Sequence, residues 1–276
     1  MNIENTVIRL PGIKRVYHFW HIADAHIAYA GEHESEADRL LAEGETTYWS
    51  RAGVTPLEAW ERMENYVREQ RDDLDGLLIA GDCVNYYSVG NLEWLKKKME
   101  VFPTEVLYVP GNHELMVYGD NQSDVRKNYR EYYDAVMGGN ADFQVQDYDD
   151  FLIIGINNAQ KEITQEQLEM LKEQIVRNMP IILLMHIPLQ TKEVLDAVEK
   201  RWGERDPYFL FEANEYASEF AREFSRMVRQ PESNVAVILA GHIHAAHEGE
   251  FAPGRVQYTA APLHDKYMRK IMVVPE

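Results

Sequence analysis

Only one cysteine, Cys83, occurs in 276 residues, so an internal disulfide cannot form and thiolates cannot define a metal site. Long apolar runs are also missing. None approaches the roughly 20 residues that cross a bilayer, and the first residues alternate charged and apolar side chains without a signal-peptide core. A soluble, cytoplasmic protein with no membrane partner is expected. Positive charge is scarce as well: Lys and Arg number 28 against 46 Asp and Glu, a formal net charge of −18. Binding a polyanion calls for a basic face. The short basic stretches at 96–98 and 126–130 lie in expected helices, where they read as solvated faces. No nucleic-acid partner is expected.

What is present describes a folded domain. Hydrophobic residues make up 45% and charged residues 27%, ordinary for a chain that buries a sizeable core without disulfides. Short β-rich runs at 16–22, 77–80, 106–109, 151–156, 181–185, 235–240, 256–259 and 271–274 alternate with helix-periodic segments. These segments are 56–74, 92–99, 124–137, 165–178, 192–200 and 215–229. Thr55 before Pro56, and Thr164 with Gln167 three residues on, are helix-start signals. The alternation predicts an α/β fold with parallel pairing, turning antiparallel in the C-terminal third. No Pro/Gly/Ser tract divides the chain, so residues 1–276 are expected to form a single domain. Two segments fit neither pattern, the acidic stretch at 31–53 and the stretch at 189–211, and both are expected to be functional insertions.

Acidic, amide and imidazole side chains recur where an expected strand ends: Asp24 and His26, Asp82, Asn112 with His113 and Glu114, His186, and His242 with His244. In open α/β sheets, ligands bind beyond the carboxyl ends of the strands. The i, i+2 spacing of Asp24 with His26 and of His242 with His244 lets both members of a pair point one way from extended backbone. Glycine immediately before Asp82, Asn112 and His242 suits a sharp turn close to an ion. Oxygen and imidazole donors without thiolate suit manganese, iron or zinc. A two-metal hydrolase places one carboxylate between ions about 3.5–4 Å apart, and Asp82, central in the motif order, is the expected bridge.

Asp24-x-His26, Gly81-Asp82, Gly111-Asn112-His113-Glu114, His186 and Gly241-His242-x-His244 resemble, block by block and in order, the calcineurin-like metallophosphoesterases. The resemblance implies a four-layer α/β/β/α sandwich of two mixed sheets flanked by helices. It implies two divalent or mixed-valence ions (Mn, Fe or Zn). Asp24, His26, Asp82 and His244 would hold one ion, and Asp82, Asn112, His186 and His242 the other. It implies a phosphate-contacting, leaving-group-protonating role for His113. Protein Ser/Thr phosphatases of this superfamily continue the second block with an acidic residue and a phosphate-clamping arginine. Here those positions are Asn85 and Tyr86, and Asn85 resembles the cyclic-nucleotide and glycerophosphodiester branch, with an amide oxygen available to His113. The histidine that repair nucleases carry shortly after Gly-Asp has no counterpart in 83–87. The expected activity is hydrolysis of a small phosphodiester. The alternatives are a phosphomonoesterase of the same fold and, from a different class, a non-catalytic protein-binding scaffold, which would be expected to have lost ligands that this chain retains.

The remaining candidates have plainer readings. His18 and His21 are expected to be buried, hydrogen-bonded histidines, His247 and His264 ordinary loop histidines, and His33 solvated. Cys83 is expected to be a buried, inert thiol. Glu114 is expected to support the site, and Tyr86, Tyr87 and Tyr118 are as readily packing as site-lining residues.

Overall fold

The structure is a computed structural model. It describes residues 1–32, 34–100, 102, 104–118, 122–206, 209–211 and 217–276, with the backbone alone for 122–127. Among these residues the strands form two mixed sheets. The first contains β1 (Asn2–Leu10), β2 (Tyr17–Ile22), β3 (Gly76–Ala80), β4 (Val106–Val109) and β11 (Tyr267–Pro275), in the order β1-β11-β2-β3-β4. The second contains β5 (Phe143–Asp147), β6 (Leu152–Ile156), β7 (Ile181–Leu184), β8 (Val235–Ala240), β9 (His247–Ala252) and β10 (Arg255–Thr259), in the order β5-β6-β7-β8-β10-β9. Within the first, β2, β3 and β4 run parallel; within the second, β6, β7, β8 and β10 do.

Central strands buried on both faces read as continuous apolar runs, and the pleat sends alternate residues to opposite layers. In β3, Leu78 and Ala80 meet Ile182, Leu184 and Leu239 of the second sheet. Leu77 and Ile79 turn outward, joining Trp60 and Met63 of α2 (Pro56–Glu69) and Leu95 of α3 (Val89–Glu100). On the far side, Ile181 and Leu183 pack with Leu168 and Leu171 of α5 (Gln165–Ile175) and Phe224 of α7 (Glu219–Val228). The result is the expected four layers. Capping boxes at Thr55 with Glu58 and at Thr164 with Gln167 start α2 and α5.

Some elements differ from expectation. Strands β1, β5 and β9 were not anticipated, and each includes partly or fully exposed polar positions that blur the apolar pattern. The segment 31–53 contains α1 (Glu36–Trp49), capped by Ser35 with Asp38. The helix expected at 124–137 is α4 (Gln122–Tyr133), and that at 192–200 is α6 (Lys192–Trp202), closed by Gly203 at φ 84°. The start of the helix expected at 215–229 lies outside the described residues. The C-terminal third is not a simple antiparallel sheet. β10 is parallel to β8 and antiparallel to β9, whereas β11 crosses to the first sheet and pairs antiparallel with β2. Among the described residues, no helix is long and apolar enough to cross a membrane.

Candidate metal centre

The parallel strands of both sheets end on one rim, and their pairing continues past the last strand residue. Asp24 N–H donates to Gly81 O (3.0 Å) and His26 N–H to Asp82 O (2.9 Å). The backbone then turns sharply: Asp24, His26, Asp82, His242 and His244 all have positive φ, between 52° and 70°. Non-glycine residues in this region are uncommon, and strain of this kind concentrates at functional sites. Gly241 allows the close approach, since a Cβ there would stand 2.5 Å from Ala23 Cβ and 2.8 Å from Asp24 Oδ2.

Two clusters result, and they share Asp82. In one, Asp82, His186 and His242 offer ligand atoms within 4.8 Å of one another. His186 Nε2 lies 3.1 Å from Asn112 Oδ1, 3.2 Å from His242 Nδ1 and 3.3 Å from Asp82 Oδ2. In the other, His26 Nε2 lies 2.9 Å from His244 Nε2 and 3.8 Å from Asp82 Oδ2, and His244 Nε2 is 3.4 Å from Asp24 Oδ1. Thus all seven expected metal ligands meet on this rim. His113 is there too, its ring 4.5 Å from that of His26 and its backbone N–H donating to Asp82 Oδ1 (2.9 Å).

The orientation of the rings favours a cation. His26 Nδ1–H donates to Asn85 Oδ1 (3.0 Å) and His186 Nδ1–H to Ala80 O (2.6 Å), so each ring, when neutral, turns an Nε2 lone pair into the cluster. Lone pairs facing lone pairs at about 3 Å repel unless a proton or a metal lies between them. Burial, assisted by neighbouring histidines, pushes His26 and His242 well below the ordinary imidazole value, which keeps them neutral ligands. Burial also lowers His186, but Asp82 and Asp24 outweigh it and bring that ring to about 9. Against its own burial, Asp82 is held well below the usual carboxylate range by His186 and His113. The donor set therefore fits two hard-to-borderline ions, with Asp82 common to both.

Buried groups fix this geometry. Glu114, fully buried, accepts from the N–H groups of Asp82 (2.9 Å) and Gly111 (2.7 Å) at Oε2. At Oε1 it accepts from Cys83 N–H (2.7 Å), Val84 N–H (3.2 Å) and Tyr108 Oη–H (2.7 Å). One carboxylate thereby ties the Asp82 turn to the Asn112 turn. Asn85 donates from Nδ2 to Glu45 Oε2 (2.8 Å), and Tyr118 Oη–H donates to Glu45 Oε1 (2.8 Å). Trp49, at the end of α1, stacks on His26 with centroids 4.0 Å apart and planes at 11°. From α6, Trp202 donates Nε1–H to Ile243 O (3.1 Å), and Phe209 lies 6.0 Å from the His242 ring. Residues of both segments, 31–53 and 189–211, thus contribute to the rim, although Pro207 and Tyr208 fall outside the described residues.

Several expectations need correction. The Asn85 amide oxygen serves His26, and it is the backbone O of Asn85 that accepts from His113 Nδ1–H (2.8 Å). His21 is buried, but neither ring nitrogen has a hydrogen-bond partner. His18 is only partly buried, with Nδ1 unpartnered. His247 lies in β9, not in a loop. His264 is fully buried beside the site, its ring 5.6 Å from His26 and 5.4 Å from His244. Cys83 is buried as expected, and burial raises its thiol well above the ordinary value. Tyr86 is buried and meets Tyr118 edge-on, while Tyr87 packs on Tyr132. His33 lies outside the described residues. Sequence reasoning missed Glu45 and Trp49, and it read His264 as an ordinary loop histidine. Only the first two had a readable signal, the Ser35-x-x-Asp38 helix start.

Residues 17–246 match the calcineurin-like phosphoesterase family. No curated protein gives a significant match. Among solved structures, a dimetal phosphatase from Danio rerio superposes with a TM-score of 0.52 at 13% identity, over 90% of this chain and 88% of that one. A purple acid phosphatase from yellow lupin (Lupinus luteus) gives 0.45 at 13% identity, over 87% of this chain and 39% of that one. A 5'-nucleotidase from Candida albicans gives 0.42 at 13% identity, over 93% and 47%. At such identity the zebrafish protein attests the fold alone, and the match over 17–246 is what assigns the chain. The chain belongs to the calcineurin-like phosphoesterase family, hydrolases acting on phosphoric ester bonds.

Proposed function

We propose that this protein works as a single domain that hydrolyses a small phosphodiester at a dinuclear centre. Asp24, His26, Asp82 and His244 would hold one ion, and Asp82, Asn112, His186 and His242 the other. When bound, such ions supply Lewis acidity to the phosphoryl group and lower the pKa of water from 15.7 toward about 7. Asn85 Oδ1 fixes the tautomer of His26. His113, with Nδ1–H committed to Asn85 O, presents Nε2 to the substrate and, as the imidazolium, protonates the departing alkoxide there. Trp49 and Phe209 exclude bulk water and narrow entry.

One observation carries the diester reading. The turn after Asp82 offers no guanidinium to a doubly charged phosphoryl group: Asn85 is buried between His26 and Glu45, and the next residue is the buried Tyr86. Glu45 adds negative charge to the same wall, and the −18 net charge disfavours polyanionic substrates at long range. A phosphomonoesterase is the second reading. Lys161 favours it, since this residue lines a cavity of about 410 Å³ with Asn112 and His242. Matched aryl mono- and diesters, assayed with saturating manganese, decide between them. The diester should show the higher kcat/KM, and a higher value for the monoester overturns the proposal.

A further inference from the structure

Accepting the dinuclear reading above, we infer that His264 is an additional protein ligand of the ion held by Asp24, His26 and His244, which makes that site closed and leaves the other open. His264 sits in a tight turn, Leu263–Asp265, between β10 and β11. The turn is pinned to the rim at both sheets: Ala260 N–H donates to Ala240 O (2.9 Å) at the end of β8, and Leu263 N–H to Ala23 O (2.9 Å) beyond β2. This places the His264 ring, fully buried, where its ligand atom and those of His26 and His244 lie within 4.8 Å of one another.

The ring has no other evident task. Neither ring nitrogen has a hydrogen-bond partner, although Nδ1 stands 3.4 Å from Asp265 Oδ1, within ion-pair reach. Asp265 is itself held by Arg201 of α6 at 3.1 Å. A carboxylate beside an imidazole whose ring offers a ligand atom to a cluster is the usual arrangement behind a metal-binding histidine. A buried, unpartnered ring nitrogen is costly without such a use. Trp49 closes the same side, 4.9 Å from the His264 ring and stacked on His26.

The second cluster contrasts with this one. Asn112 and His242 are partly exposed and face the cavity that Lys161 lines. Sites filled by protein ligands serve structure, whereas sites that exchange water and substrate keep an open position. His264 would therefore make the two sites unequal: the ion it helps to hold would be the more enclosed, and the one beside the cavity would be the more open to substrate.

The test is zinc binding to the metal-free full-length chain, wild type against His264→Ala and His264→Gln, followed by calorimetry. Cobalt(II)-loaded spectra of the same proteins report coordination number. The expected result is two sites in the wild type. Both variants should lose about 10-fold or more in affinity at the tighter site, with the weaker site unchanged and stronger cobalt d–d absorption from the lower coordination number. Two sites of unchanged affinity in folded variants, with unchanged cobalt spectra, overturn the inference and leave the proposed function standing. A wild type that binds no zinc overturns both. Should the variants not fold, as judged by circular dichroism, ring-nitrogen NMR of the wild type during zinc titration decides. A zinc-dependent shift of the His264 Nε2 resonance to that of a bound imidazole supports the inference, and an unmoved resonance overturns it.

Discussion

Replacing Glu114 with glutamine tests how the rim is held together, because it keeps the shape and removes one acceptor oxygen. Two backbone N–H groups, of Asp82 and Gly111, converge on Oε2, while Oε1 takes two more and the Tyr108 hydroxyl. The amide NH₂ does least harm at the Oε2 position, where it leaves two buried donors facing a donor. Each orphaned donor costs about 1–3 kcal/mol, so Glu114→Gln should destabilise the metal-free protein by roughly 2–6 kcal/mol. Losing the negative charge relieves the cost of burying it and the repulsion with Asp82, the two causes that raise the Glu114 pKa. That gain acts against the cost, but the five donors aimed at the carboxylate favour its ionised form, and the cost should win. With an unfolding entropy of about 2.1 cal/mol/K per residue, the 276-residue chain should lose about 3–10 °C in Tm. Thermal melts in excess chelator measure this. Zinc affinity should also fall at both sites, because the Asp82 and Asn112 turns are tied through this one side chain. A melting temperature within a degree of wild type, with unaltered zinc binding, would refute the reasoning.

Asp82→Ala should depress metal content at both sites and His26→Ala mainly at one, as read by elemental analysis; two retained equivalents in Asp82→Ala would remove its bridging role. His113→Ala should slow alkyl phosphodiester hydrolysis by about 10²–10⁴-fold with its metals retained. Nitrophenyl esters should lose much less, and equal losses would count against the proton-donor role. His21, held down to about 3 by burial and by Arg269, stays neutral in the native state while the unfolded chain takes up a proton near pH 6.5. Its contribution is therefore complete above pH 6.5 and is lost as pH falls toward 3, at about 1.4 kcal/mol per pH unit. His21→Leu should flatten the acid limb of metal-free stability by about one proton, measured by denaturant melts between pH 7 and pH 4.5, and an identical slope would exclude the assignment.

The rim was legible because its chemistry is delivered locally. Each expected ligand follows an apolar strand that is buried on both faces, and such strands announce themselves in sequence. Strand β9, His247–Ala252, did not, because an edge strand with Glu248 and Glu250 in it has little apolar pattern to display. Helix α1 buries only Ala42 and Trp49, too few residues for a recognisable apolar stripe. Asn85 is legible as a site residue, but which histidine its side chain serves is not, since a choice between His26 and His113 depends on how two turns pack. His264 stands in a turn with no spacing relation to any other ligand, and only the crossing of the chain from the second sheet back to the first brings it to His26 and His244.

Reconstitution of the stripped enzyme tests the central claim most directly. The chain is freed of metal by a chelator, manganese is returned in increments, and hydrolysis of bis(nitrophenyl) phosphate is followed against metal added. Two ligand clusters sharing Asp82, one with His186 and His242 and the other with Asp24, His26 and His244, predict no turnover without metal and a rise that reaches its plateau at two equivalents. Full activity in the stripped protein, or a plateau at one equivalent, would contradict the dinuclear account.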